Sequence, residues 1–347
     1  MPFLQTSQTS QTSQTSQTSQ TSALPELNHA GGASSTQLSH ALNSVSQSFA
    51  TSSFVVTAQT PKAASKEEFR KLQPLHRHVL MTEALSKGLS IGGDHTKVHV
   101  EKDGTKQTLA GGSSDLEPAV PDGPALTQIQ NRRWLRAERM NEIVGQQADI
   151  LSFLALAYPM TRDTHPFTMA ILDAVLAAVG KLVVEAKFLL NVPRPADVTG
   201  GIGPVIRTPA HGATPSGHAT EAWAMAYVME AMIFNKPSQE LRLIAARIEE
   251  NRIVAGVHYE KDGYAGRILA TLVAKEFAVR LGISSGHLDT TREPVWEDAG
   301  QAGLMKSGKL GTKQARPQQP NYIAASPSNA GVLQHAMDLS RAELGYA

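Results

Sequence analysis

The stretch TMAILDAVLAAVGKLVVEAKFLL, residues 168–190, decides the fold class. Its apolar positions Leu172, Leu176, Val179, Val183, Ala186 and Leu190 step alternately by four and three residues. That spacing places them on one face of an α-helix, a face that must be buried. Lys187 falls on or beside the stripe, so its ammonium must snorkel outward or meet an anion. This stretch and 219–234 are the most apolar in the chain. The first carries Asp173, Lys181, Glu185 and Lys187 and the second Glu221 and Glu230, a frequency costly in lipid and normal in a buried bundle. On that reading no segment qualifies as a membrane span.

Outward from this helix the chain changes character. Residues 5–22 are six Gln-Thr-Ser triplets, and 1–65 reads as a disordered, low-complexity tail. Residues 66–124 read as a helix over 66–87, a β-hairpin turning at Asp103-Gly104 and a Gly/Ser/Pro linker. Residues 125–283 read as one compact helical domain, with helices at about 127–147, 149–158, 167–190, 217–234, 238–255 and 262–281. Gly282 suits a C-terminal cap. Residues 284–347 read as a mostly irregular extension with a late helix over 329–344. The expectation is an all-α bundle of about six helices with a small hairpin and disordered extensions.

Composition excludes several functions. Among 347 residues, Lys+Arg number 32 and Asp+Glu 31, a net charge of +1. Such a balance offers no electrostatic footprint for nucleic acid or an anionic membrane. The absence of cysteine removes disulfides, thiolate metal sites and cysteine catalysis. With no charged and apolar leader in the N-terminal stretch, the expected location is the cytoplasm. The expected partners are small molecules, and a homo-oligomer is left open. His76, His78, His95 and His99 read as polar residues of the helix and hairpin, and Trp134 and Trp223 as core.

Three local elements carry chemistry. Lys187 is followed seven residues later by Arg194, set between Pro193 and Pro195 past the helix end; alone it reads as a surface arginine in a turn. Next comes Thr214-Pro215-Ser216-Gly217-His218, ahead of a very apolar helix. Free N–H groups at a helix start, a glycine and a serine hydroxyl make an oxyanion cradle, although a plain Ser N-cap has the same look. The third is Asn251-Arg252 with His258 and Asp262. A carboxylate on one imidazole nitrogen fixes the tautomer and raises the basicity of the other; a simple Arg252–Asp262 ion pair is the plainer reading.

Taken together, Lys187-x6-Arg194-Pro195, Pro215-Ser216-Gly217-His218 and Arg252-x5-His258-x3-Asp262 resemble the three-part signature of the type 2 phosphatidic acid phosphatase/vanadium haloperoxidase superfamily. Asn251 departs from it, standing where the family usually has serine. The resemblance implies that Lys187, Arg194 and Arg252 supply positive charge to bound phosphate or vanadate. Ser216 and the Gly217 N–H would donate hydrogen bonds to its oxygens, and His218 would be the general acid/base. His258 would be the nucleophile toward phosphorus or the ligand of vanadium, and Asp262 would orient it.

Two chemistries follow from the resemblance. The small residues after His218 and the placement of His211 seven before it look like the haloperoxidase branch, as does the lack of transmembrane helices. That branch implies vanadate as cofactor, with hydrogen peroxide and halide as substrates, bromide or iodide rather than chloride. Pro193 in place of an aromatic residue and a small helical domain point instead to a soluble phosphatase. That enzyme would need no cofactor and would hydrolyse phosphomonoesters through a phosphohistidine at His258. A binding domain without catalysis would not require His218, His258 and Asp262.

Overall fold

The computed structural model describes residues 63–109, 114–283 and 331–346. Nearly all of the expected 1–65 tail, and 284–330 of the C-terminal extension, lie outside the described residues. The described chain is mostly helical with one small sheet, the all-α class that the 168–190 stretch predicts.

The N-terminal helix expected over 66–87 is two helices, α1 (Lys66–Lys71) and α2 (Pro74–Ser86). Pro74 explains the break: it has no N–H, and its ring forces Gln73 into an extended conformation (φ −60°, ψ 148°). Strands β1 (Leu89–Gly93), β2 (Val98–Lys102) and β3 (Thr105–Lys106) form an antiparallel sheet in that order. The β2–β3 turn at Asp103-Gly104 has φ of 50° and 74°, as the Asp-Gly pair predicts. β1 has the glycine-rich sequence LSIGG and gives no strand signal of its own. Neighbours hold it: the Ile91 N–H donates to Glu185 (3.2 Å), and Lys181 donates to the Leu89 carbonyl (3.1 Å).

Residues 127–147, expected as one helix, are divided into α3 (Gly123–Gln130), a 3₁₀ turn at Arg133–Leu135 and α4 (Arg136–Gly145). The break lets Arg132 reach Glu260 (2.6 Å) and Arg136 reach the carbonyls of Ile202, Gly203 and Val254. Trp134 lies in that break and is 74% exposed, a correction to its expected core position; Trp223 is buried. Where 149–158 was expected, α5 (Leu151–Leu154) is a single turn. Beyond it, i→i+3 bonds from the N–H groups of Leu156 and Ala157 tighten the chain toward Pro159.

The long helix α6 (Pro166–Leu190) buries every position of its predicted stripe. It ends at Asn191 in the left-handed conformation, and the short α7 (Pro195–Val198) follows. Then come α8 (Gly217–Met229), prolonged by a π-helical turn at Glu230–Phe234, α9 (Gln239–Val254) and α10 (Glu260–Arg280). Gly282 and Ile283 close α10 with bonds back to the carbonyls of Val279 and Ala278, the Schellman pattern. The last helix, α11 (Val332–Glu343), lies on α6. Its Glu343 accepts from the N–H groups of Phe167 and Thr168 (both 2.8 Å), supplying the cap that His165 does not.

Every residue of α8 is buried, and α6, α9 and α10 surround it. Helices α8 and α10 meet closely at Gly266, where a Cβ would stand 3.0 Å from the Ser216 carbonyl oxygen and from Thr220 Oγ1. One contiguous apolar cluster runs from Phe69 to Leu344.

The expectation that no segment qualifies as a membrane span is corrected. The helical segment Pro166–Val198 is long and apolar enough to cross one, with 72% of its most apolar window buried inside the fold. The charges are spaced widely enough that an 18-residue window holds no more than two. Within the fold Asp173 pairs with Arg162, while Lys181 and Glu185 hold β1.

Candidate active site

Three chain segments meet around the buried start of α8: the end of α6, the turn into α8, and the connection from α9 to α10. Lys187 does not snorkel. It is buried, and its Nζ donates to the carbonyls of Gly212 and Ala213 (2.9 Å each).

Arg194 is not a surface arginine either, being 1% exposed. Its Nε donates to the His211 carbonyl (3.1 Å) and its Nη1 to the Val257 carbonyl (2.8 Å) and to His258 Nε2 (3.1 Å). Its Nη2 donates to His211 Nδ1 (3.1 Å). Because guanidinium only donates, the His258 Nε2 it meets is an acceptor. His258 therefore carries its hydrogen on Nδ1, whereas His211 Nδ1 lies between the Arg194 donor and the Gly212 carbonyl acceptor (3.2 Å). The geometry thus brings His211 against the motif residues.

His258 Nδ1–H donates to Asp262 Oδ2 (3.0 Å). The two do not share a helix face, as their spacing suggested. Helix α9 stops at Val254, Gly256 turns the chain at φ 81°, and Asp262 sits in the first turn of α10. Asp262 Oδ2 also accepts from the Tyr259 N–H (2.9 Å), and its Oδ1 accepts from Thr214 Oγ1 (2.5 Å). These bonds lock the carboxylate that locks the histidine.

Ser216 is the N-cap of α8 and faces the Ala219 N–H at 3.5 Å, so its hydroxyl hydrogen remains available to a ligand. His218 is in the first turn, and the Gln146 carbonyl is the hydrogen-bond acceptor on its ring. Arg252 forms no ion pair with Asp262. Its Nη2 donates to the Ile143 carbonyl (3.1 Å) and to Gln146 Oε1 (2.9 Å). Arg252 Nε and Nη1 and His218 Nε2 are buried without a partner. The two guanidinium donors in that state are costly and mark where a ligand's acceptors fit; on the neutral His218 ring Nε2 is an acceptor.

Burial and the neighbouring cations control the protonation states. Burial pushes His218 and His258 well below the ordinary histidine range, with Arg252 adding to the effect at His218 and Arg194 at His258. His211 is lowered to about 4 by burial, Lys187 and Arg194. Lys187 is lowered well below its usual value by burial and by Arg194. Burial raises Asp262 against its hydrogen bond from Thr214. Arg194 and Arg252 come down to about 10 and about 9, both through burial, and stay cationic at neutral pH.

Thr214 opens the element quoted from the sequence but is given no role there, and Gln146 is not singled out. Gln146, at the end of α4, has no local signal. The four histidines at 76, 78, 95 and 99 form no metal-binding group among the described residues.

No curated protein matches the sequence. A family model described as the PAP2 superfamily matches residues 167–281. All three motifs fall inside that span, on the helices α6, α8, α9 and α10 and their connections. Over those residues the chain is similar to the PAP2 superfamily, which joins type 2 phosphatidic acid phosphatases and haloperoxidases.

Proposed function

We propose that this chain is a vanadate-holding, haloperoxidase-like enzyme that oxidises bromide or iodide, rather than chloride, with hydrogen peroxide. The observation that carries the oxyanion part is the pair of buried donors without partners, Arg252 Nε and Nη1, beside the equally unpartnered His218 Nε2, which becomes a donor once the ring is protonated. Vanadate fits that set. Arg252, Lys187 and Arg194 would hold its oxygens, with Ser216 and the Gly217 N–H, and His258 Nε2 would bind the metal. Bound vanadate would supply a Lewis acid that activates peroxide toward halide.

The residues' own parts follow from their geometry. Asp262 keeps the hydrogen of His258 on Nδ1, so Nε2 presents a lone pair once Arg194 Nη1 turns to the anion. His218 is neutral in the free protein and takes a proton when negative charge arrives beside it. It then serves as acid and base at Nε2. His211 stands on Arg194 as an additional neutral imidazole, and this contact favours the peroxidase reading.

A second reading rests on His258 itself. A lone pair on Nε2, backed by Asp262, suits attack on phosphorus: the N–P bond forms as the ester P–O bond breaks, and His218 protonates the leaving oxygen. The test purifies the chain free of phosphate and reconstitutes half of it with orthovanadate. Both halves are assayed for peroxide-dependent bromination of a phenolic dye and for aryl phosphate hydrolysis. Vanadate-dependent bromination that falls in His211→Ala is the expected result. Metal-free hydrolysis inhibited by vanadate, with no halide oxidation, overturns it in favour of the phosphatase.

A further inference from the structure

We infer that Gln146 is a positioning residue that sets both the orientation and the effective charge of Arg252 toward a bound oxyanion, which rests on the oxyanion reading of the site. Gln146 belongs to none of the three motifs. It is the C-cap of α4 and is 1% exposed. Its Oε1 accepts from Arg252 Nη2 (2.9 Å) and from Asn251 Nδ2 (3.0 Å), while its backbone carbonyl is the acceptor on His218. One residue therefore touches both the acid–base imidazole and the arginine whose other donors have no partner.

The guanidinium is planar and rigid. Holding Nη2 on two oxygens, Gln146 Oε1 and the Ile143 carbonyl, fixes the plane and with it the directions of Nε–H and Nη1–H. The acceptor is an amide, not a carboxylate, so it orients Arg252 without cancelling its charge. Buried arginines elsewhere in the bundle meet carboxylates: Arg139 on Glu250, Arg267 on Glu249 and Arg280 on Glu276. The carboxylate nearest to this amide along the network, Glu142, is engaged by Arg247 (2.8 and 2.9 Å) and by Asn251 (2.9 Å). Asn251, the departure from the family's usual serine, thereby stands between Glu142 and the Gln146–Arg252 pair.

The test uses the full chain, with orthovanadate and inorganic phosphate as probes in isothermal titration. Glu is nearly isosteric with Gln, so Gln146→Glu keeps the fold and places a carboxylate on Arg252. It is expected to weaken both anions at least tenfold with the thermal midpoint of the free protein unchanged or raised. Gln146→Met removes the acceptor and is expected to weaken them as well. In arginine-labelled protein it should also shift the Arg252 Nε–H resonance, identified by its loss in Arg252→Lys. Anion affinities within twofold of the parent in Gln146→Glu overturn the inference. If the parent binds neither anion, the proposed function falls. The positioning role then stands or falls on the resonance, and an unmoved Arg252 Nε–H in Gln146→Met overturns it.

Discussion

Two sets of buried cations share this bundle and are treated in opposite ways. In the scaffold each buried arginine among the described residues meets a carboxylate, as Arg139 meets Glu250 at 2.5 Å, and the partly buried Arg242 meets Glu230 at 2.8 Å. In the cradle Lys187, Arg194 and Arg252 meet carbonyls, an amide and imidazoles. None of the three forms an ion pair among the described residues. Desolvating a charge is expensive, and an internal counter-ion offsets much of that cost. The scaffold uses that remedy, and the cradle leaves it to a ligand. The difference separates charges that hold the fold from charges that bind.

The largest effect tests the centre of the cradle. His258→Ala removes the group proposed to bond to the central atom, and activity should fall to background in bromination and phosphate hydrolysis alike. His218→Ala should cost about 10²–10⁴ in rate, the usual worth of a positioned proton donor. Retained turnover in the first variant would break the assignment for both chemistries.

The comparison itself is tested by one arginine from each set. Arg252→Ala should weaken orthovanadate by roughly 10- to 100-fold, the scale of lost charged hydrogen bonds, and abolish the rise in melting temperature that the anion causes. Arg242→Ala should instead destabilise the protein by about 3–5 kcal/mol, because it strands the fully buried Glu230. Anion affinity of the folded Arg242 variant should stay near the parent's. Calorimetry and denaturant titration read both arms, and swapped outcomes would erase the distinction.

A smaller effect is protonic. His218 and His258 are held neutral by burial and neighbouring cations, and a bound dianion favours the imidazolium. Binding should therefore take up protons, and affinity should improve as pH falls from 8 to 6, by no more than tenfold per unit for each proton. Titrations in two buffers of different ionisation enthalpy measure the uptake. An uptake of zero would mean that His218 does not sense the anion.

The smallest expected effect concerns the free protein in acid. The three site histidines titrate lower in the fold than the ordinary 6.5 of the unfolded chain, His211 at about 4. The unfolded state therefore binds more protons below 6.5, and folding stability drops as pH falls from 6.5 toward 4. Stability contributed by the neutral imidazoles is fully present above that window. His211→Ala should flatten part of the slope in thermal melts, and an unchanged slope would place its ring in solvent.

Much of this was legible in the chain because it is local. The 4-3-4-3-4 stripe of α6, the Asp103-Gly104 turn and the glycine stop at Gly282 depend on neighbours within a few residues. The internal spacings of the three motifs are equally local. Other features were not readable for the same reason. LSIGG becomes a strand because β2 pairs with it, with Lys181 and Glu185 of α6 holding its other edge of backbone groups. The 127–147 segment breaks because Arg132 and Arg136 find partners on remote loops.

The sequence by itself determined the all-α class, the long core helix and the residue types able to hold an oxyanion, since helical period and motif spacing are properties of short stretches. Only the tertiary structure decided that Arg194 is buried rather than exposed, that Arg252 answers to Gln146 rather than Asp262, and that Thr214 locks Asp262. Gln146 and Arg252 are 106 residues apart. An amide has no pattern that announces its partner; its role comes from being desolvated beside a charge that nothing else balances, and burial is set by the whole fold.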